Sequence, residues 1–218
     1  MRAAEWSLIV PLKPLALAKS RLAAVVGETL RPSLALAFAE DTVAAALACP
    51  VVGRLTVVTD DPRAAERLVA LGARVLPDAP GRGLNAALAY GAAAVRRSAP
   101  RAAVAAVNAD LPALRPAELA RVLAAADGHD RSFLADAAGV GTTMLAAAPG
   151  VDLAPAFGGR SRARHLASGA VELLPEGVAS VRRDVDTGAD LRAALALGVG
   201  PRTAATARGV TTSATSRG

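Results

Sequence analysis

Lysine, cysteine and aromatic residues are all scarce in this chain of 218 residues, and each shortage excludes something. The single Cys49 rules out an internal disulfide framework and a cysteine-based zinc site. Aromatics make up 2% of the chain, too few to furnish the stacking platforms of a single-strand nucleic-acid binder. No apolar run approaches the roughly 20 residues that cross a bilayer. The apolar stretch near the N-terminus follows Glu5 and is interrupted by Lys13, which makes a poor signal peptide. The expectation is a cytoplasmic protein that engages neither nucleic acid nor membrane. A net charge of +6 does not reverse it, because residues 201–218 hold three arginines and no acid. The rest of the chain is then close to balanced, with 22 basic and 19 acidic residues.

The two lysines stand together, at Lys13 and Lys19, where the first predicted strand runs out toward a helix; the other 23 basic residues are arginines. Lysine is a compact cation with three rotatable donors, suited to meeting phosphate oxygens as a point charge. With Arg21 nearby, the segment concentrates positive charge at a strand's carboxyl end. It is no P-loop, since no GxxxxGK[ST] occurs.

Short β-branched runs alternate with longer alanine-rich stretches. Strands are predicted at Ser7–Val10, Leu55–Thr59, Arg74–Leu76, Ala103–Val107, Ser132–Ala135, Thr143–Ala146 and Ser180–Asp184. Helices are predicted at about 32–48, 63–71, 85–97, 116–126, 161–167 and 188–197. This alternation implies an α/β three-layer sandwich with a mainly parallel sheet, formed by a single domain over residues 1–200. The glycine-rich segment 127–160 reads as an inserted antiparallel hairpin or lid, and residues 201–218 as a disordered tail.

In open sheets of this kind ligands gather at the carboxyl ends of the strands, and polar residues follow the predicted strands with regularity. Asp61 and Asp136 fit caps or turns. Asp110, at the end of an apolar strand, and Asp184 and Asp186, alternate residues of an extended segment, form a different group. Three converging carboxylates repel one another unless a proton or hard cation neutralises them, and magnesium suits such a site. The plainer alternative has Asp184 paired with Arg182 or Arg183 and Asp186 capping the last helix. Gly81-Arg-Gly83-Leu-Asn85 leads into a helix, where Asn85 could cap the helix and bond a ligand. Gly139-Val-Gly-Thr142-Thr143, with Phe157-Gly158 and Ser161…His165, offers small residues and hydroxyls for a second phosphate or carboxylate site. No nucleophile–base pair is evident.

Taken together, the segments from Val10-Pro11-Leu-Lys-Pro to Asp184-Val-Asp-Thr187 resemble the guanylyltransferases of deazaflavin coenzyme (F-420) biosynthesis, over about residues 6–197. The resemblance implies a Rossmann-like nucleotidyltransferase fold and transfer of GMP from GTP to phosphoenolpyruvate or 2-phospho-L-lactate. It further implies that Asp110, Asp184 and Asp186 hold Mg2+, and that Thr142, Gly158 and Ser161 contact the phosphorylated acid. Lys13, Lys19 and Arg21 would face the triphosphate beside Pro11, with Gly83 and Asn85 near the nucleoside. The product would pass to the next pathway enzyme. Val140 stands where the family's glycine motif carries threonine, so both Thr142 and Thr143 stay open as the acceptor contact. The arginine- and alanine-rich composition leans toward phosphoenolpyruvate. Rival readings are a nucleotidyltransferase with another acceptor, disfavoured by Pro11-Leu-Lys-Pro14 in place of GGxxxRxG, and a binding-only relative.

Overall fold

The computed structural model describes residues 5–215. Seven strands form one sheet: β1 (Trp6–Pro11), β2 (Val52–Val58), β3 (Arg74–Leu76), β4 (Ala103–Val107), β5 (Arg131–Ala135), β6 (Thr142–Ala147) and β7 (Val171–Glu172). Their order across the sheet is β3-β2-β1-β4-β6-β5-β7. Strands β3, β2, β1 and β4 are parallel, and β6 runs antiparallel between β4 and β5. The expected hairpin in the glycine-rich segment is thus β5–β6, turning over residues 136–141.

Eight α-helices accompany the strands among the described residues: α1 (Ala23–Leu47), α2 (Pro62–Ala70), α3 (Leu84–Ser98), α4 (Pro116–Ala126), α5 (Ser161–Ala167), α6 (Ala179–Arg182), α7 (Gly188–Leu197) and α8 (Pro201–Thr215). Pleating sends Leu8 and Val10 of β1 to one face, against α1, α2 and α4, and Ile9 to the other, against α3. Both faces are therefore buried, as a parallel sheet requires. The core is built from small apolar side chains, which lets α3 lie close to the sheet. A methyl group at Gly91 would come within 2.7 Å of Ile9 Cγ2 and 3.0 Å of Val58 Cγ2.

Two expectations are corrected. The strand predicted at Ser180–Asp184 is the short helix α6, because a buried polar knot fixes that turn. Glu118 Oε2 accepts the Ser180 N–H and hydroxyl, each at 2.8 Å, and Ser180 Oγ accepts the Arg115 N–H at 3.1 Å. The last strand is instead the two-residue β7, paired with β5. Residues 201–215, expected to be disordered, form helix α8. The buried Asp41 carboxylate on α1 accepts the backbone N–H groups of Arg202 (3.2 Å) and Thr203 (2.7 Å). That supplies the cap the local sequence lacks.

Candidate active site

Strands β1 and β4, with the β5–β6 turn, deliver a cleft of about 620 Å³ at one edge of the sheet. Its first wall is the loop after β1. Pro11, Lys13, Lys19 and Arg21 all line the cleft, and the loop's shape has identifiable causes. Asp61 caps α2 through the Ala64 N–H (3.0 Å) and also accepts the Leu15 N–H (2.8 Å). From beneath, the buried Arg31 donates to the carbonyls of Leu15, Ala16 and Ala18. The loop's carbonyls thus turn toward Arg31 rather than into the cleft. Arg31 carries no local motif, and sequence reasoning missed it.

Lys19 adopts a left-handed backbone (φ 57°), rare for a residue with a Cβ. Its ammonium lies between two carboxylates, bonded to Asp110 Oδ2 and, at 2.7 Å, to Asp186 Oδ1. Burial opposes the Lys19 charge, but Asp110 and Asp186 outweigh it and hold its pKa above the ordinary lysine value. Asp186 is affected the opposite way: burial alone would raise its pKa, and the charges of Lys19, Arg21 and Lys13 bring it below the usual carboxylate value.

Asp110, Asp184 and Asp186 all line the same cleft. Val185, fully buried between the latter two, donates its N–H to the Asp110 carbonyl at 3.1 Å. This ties the segment after α6 to the end of β4 and leaves its two aspartates on the cleft side. The plainer alternatives for these residues are not what the chain does. Arg182 donates to the Ala135 and Asp136 carbonyls (3.1 and 2.9 Å). Helix α7 is capped by Thr187, in a capping box with Asp190. Asp184 is pushed up to about 7, first by burial and then by the charges of Asp110, Asp186 and Asp136. Among the described residues no three His, Cys, Asp or Glu side chains gather closely enough to hold one metal ion. The cation between Asp110 and Asp186 is Lys19.

The opposite wall comes from β6 and α5. Thr142, Gly158 and Ser161 line the cleft, whereas Thr143 does not. Adjacent residues of a strand face opposite sides, and the Thr143 hydroxyl is buried with no partner. Asp136 closes the β5–β6 turn by accepting the N–H groups of Val140 (2.9 Å) and Gly141 (2.8 Å). A Cβ at residue 141 would sit 2.5 Å from that carboxylate. Behind Thr142 lies His165, fully buried, with Nδ1 at 2.9 Å from Thr142 Oγ1.

Gly83 and Asn85 are not among the residues lining the cleft, although Leu84 between them is. The expected cap by Asn85 is corrected: Gly83 is the N-cap of α3, with no side-chain cap. Asn85 spends both ends of its amide on Phe157, donating to its carbonyl (3.1 Å) and accepting its N–H (2.7 Å). It clamps the loop that carries Gly158.

With this geometry in view, the chain is similar to known proteins along nearly all its length. Residues 6–204 match the family model described as guanylyl transferase CofC like. A phosphoenolpyruvate guanylyltransferase of Streptomyces coelicolor is 69% identical over 203 residues, covering 93% of this chain and 96% of its own. Another, from Thermomonospora curvata, is 65% identical over 202 residues, covering 93% of this chain and 88% of its own. Among solved structures, a nucleotidyl transferase from Methanothermobacter thermautotroptrophicus shares the fold, with a TM-score of 0.62 at 24% identity. It covers 88% of this chain and 97% of its own.

Proposed function

The chain belongs to the CofC-like guanylyl transferases, and from that premise we propose that it transfers GMP from GTP to phosphoenolpyruvate and releases pyrophosphate. One observation carries the assignment of the site: a single cleft is lined by the cations Lys13, Lys19 and Arg21, the carboxylates Asp110, Asp184 and Asp186, and the hydroxyl residues Thr142 and Ser161. Two polyanions must meet there. An oxygen of the phosphoenolpyruvate phosphate attacks the α-phosphorus of GTP, and the bond from that phosphorus to the oxygen bridging to the β-phosphate breaks. Because the nucleophile is already an anion, no protein base is needed. Catalysis then rests on orientation and charge.

In this reading Lys13 and Arg21, exposed on the first wall, receive the triphosphate beside Pro11. Thr142, Gly158 and Ser161 receive the phosphorylated acid, and the turn at Gly83 lies toward the nucleoside. Asp110, Asp184 and Asp186 suit magnesium. Their oxygens are hard donors, and Asp110 Oδ1 is buried with no partner. Burial and neighbouring charge also disfavour the ionised form of Asp184. Magnesium takes only one or two protein carboxylates per ion and completes its shell with phosphate oxygens and water. Bound there, it would neutralise charge on the transferring phosphates. Lys19 fills the cation role between Asp110 and Asp186, and a divalent ion held by those carboxylates would leave its ammonium available to phosphate.

The test is pyrophosphate release from GTP in magnesium, with phosphoenolpyruvate, 2-phospho-L-lactate and an ATP control, in the presence of the enzyme that consumes the product. Release requiring GTP and phosphoenolpyruvate supports the proposal. Release with 2-phospho-L-lactate alone moves the acceptor, and GTP binding without release makes the chain a binding protein. Asp110→Asn should lower turnover about a hundredfold or more while the variant still folds, as circular dichroism would show; normal turnover in that variant at low magnesium would overturn the metal assignment.

A further inference from the structure

His165 is one of two histidines in the chain, and it does not touch the cleft. Its ring is fully buried, packed against Phe133 (centroids 5.6 Å apart) and edge-on to Phe157 (5.2 Å). Both ring nitrogens are engaged. Nε2 lies 3.1 Å from the Ala156 backbone nitrogen, and that N–H can only donate, so Nε2 must present a lone pair. Nδ1 faces Thr142 Oγ1. The ring is neutral at ordinary pH, since burial and then the charges of Arg131 and Arg164 lower its pKa to about 4. A neutral ring with an accepting Nε2 carries its proton on Nδ1. Nδ1–H therefore donates to Thr142 Oγ1.

This decides which way the threonine hydroxyl points. An oxygen that accepts from His165 cannot also donate to it, and the structure gives Thr142 Oγ1 no other side-chain partner among the described residues. Its own proton is free to turn into the cleft that Thr142 lines. The opposite tautomer would accept the threonine proton and leave only oxygen lone pairs facing an incoming anion. We propose that His165 is a positioning residue that sets Thr142 as a hydrogen-bond donor toward the phosphorylated acid. The Ala156 N–H selects the required tautomer, so docking of the 156–161 loop and the polarity of Thr142 are set together. The loop is held for this purpose by Asn85 at Phe157 and by Arg164, which donates to the carbonyls of Ala156 and Gly158.

The inference rests on the proposed role of Thr142, and its test separates the two. Nitrogen-15 NMR of the imidazole rings in the unsubstituted protein should show His165 neutral, protonated on Nδ1, at pH 7; an Nε2–H tautomer overturns the proposal without any variant. Kinetically, Thr142→Val should raise KM for phosphoenolpyruvate about tenfold or more and leave KM for GTP unchanged. His165→Gln, whose amide reaches the Nε2 position but not Thr142, should do the same. His165→Asn, whose amide nitrogen can stand in for Nδ1, should stay within about threefold of the parent. In a Thr142→Val background, His165→Gln should add nothing further. Additive effects, or an unchanged KM in His165→Gln, overturn the role of His165 alone. An unchanged KM in Thr142→Val overturns the acceptor assignment and this inference with it.

Discussion

Lys19 satisfies two carboxylates at once, and its left-handed backbone is the conformational cost of that placement. Removing the ammonium leaves Asp110 and Asp186 without their counter-charge. Lys19→Ala should therefore destabilise the protein by about 2–4 kcal/mol in chelator, and magnesium should raise its melting temperature more than that of the parent. Equal responses in calorimetry would show that the two cations do not compete. Asp184 makes a separate prediction. Its folded pKa, about 7, lies above the ordinary 3.8, so the folded state binds the extra proton between these values. That stability is fully present below about pH 4 and is lost as pH rises through 7. Asp184→Asn, neutral throughout, should melt higher than the parent at pH 8 in chelator, and its melting temperature should decline less from pH 5 to pH 8. Parallel pH curves would contradict the assignment. That Lys13 and Lys19 would lie together was legible because lysine is otherwise absent, and both line the cleft; that Lys19 would reach Asp110 and Asp186 was not.

Each element owes its place to a few particular side chains. Helix α3 reaches the sheet across Gly91, where helix propensity favours alanine and packing forbids it. Propensity is worth about 1 kcal/mol, whereas forcing a methyl group against Ile9 and Val58 costs about 1–3 kcal/mol. Gly91→Ala is thus expected to lower stability on denaturant unfolding, and a gain would mean that the sheet yields at this point. Strand β6 shows the limit of periodicity. The run Gly-Thr-Thr identifies a strand beginning with hydroxyls, but which threonine enters the cleft depends on register with β4 and β5. A shift of one residue would exchange them. The cap expected of Asn85 failed for a related reason, since its partner Phe157 lies 72 residues away.

Across the whole molecule, helix α8 returns to α1 and engages Asp41 from 161 and 162 positions further along the chain. The Asp41 side chain is 1% exposed, and without Arg202 and Thr203 it would be a buried carboxylate lacking donors. Truncation after Gly200 should lower the melting temperature by several degrees, and Asp41→Asn in the truncated chain should recover part of the loss. An unchanged melting temperature would return residues 201–218 to the status of a dispensable tail.

The sequence by itself determined the alternation of strands and helices, the mainly parallel sheet and the grouping of Lys13, Lys19, Asp110, Asp184 and Asp186. Hydrophobic period and residue type are local properties, and a strand's end is where its polar residues emerge. Only the tertiary structure decided that Lys19 sits between carboxylates, that Thr142 rather than Thr143 faces the cleft, that Asn85 clamps a loop and that residues 201–215 form a helix. Each of these depends on a polar partner or a strand register contributed by a distant segment, which the local pattern of residues does not encode.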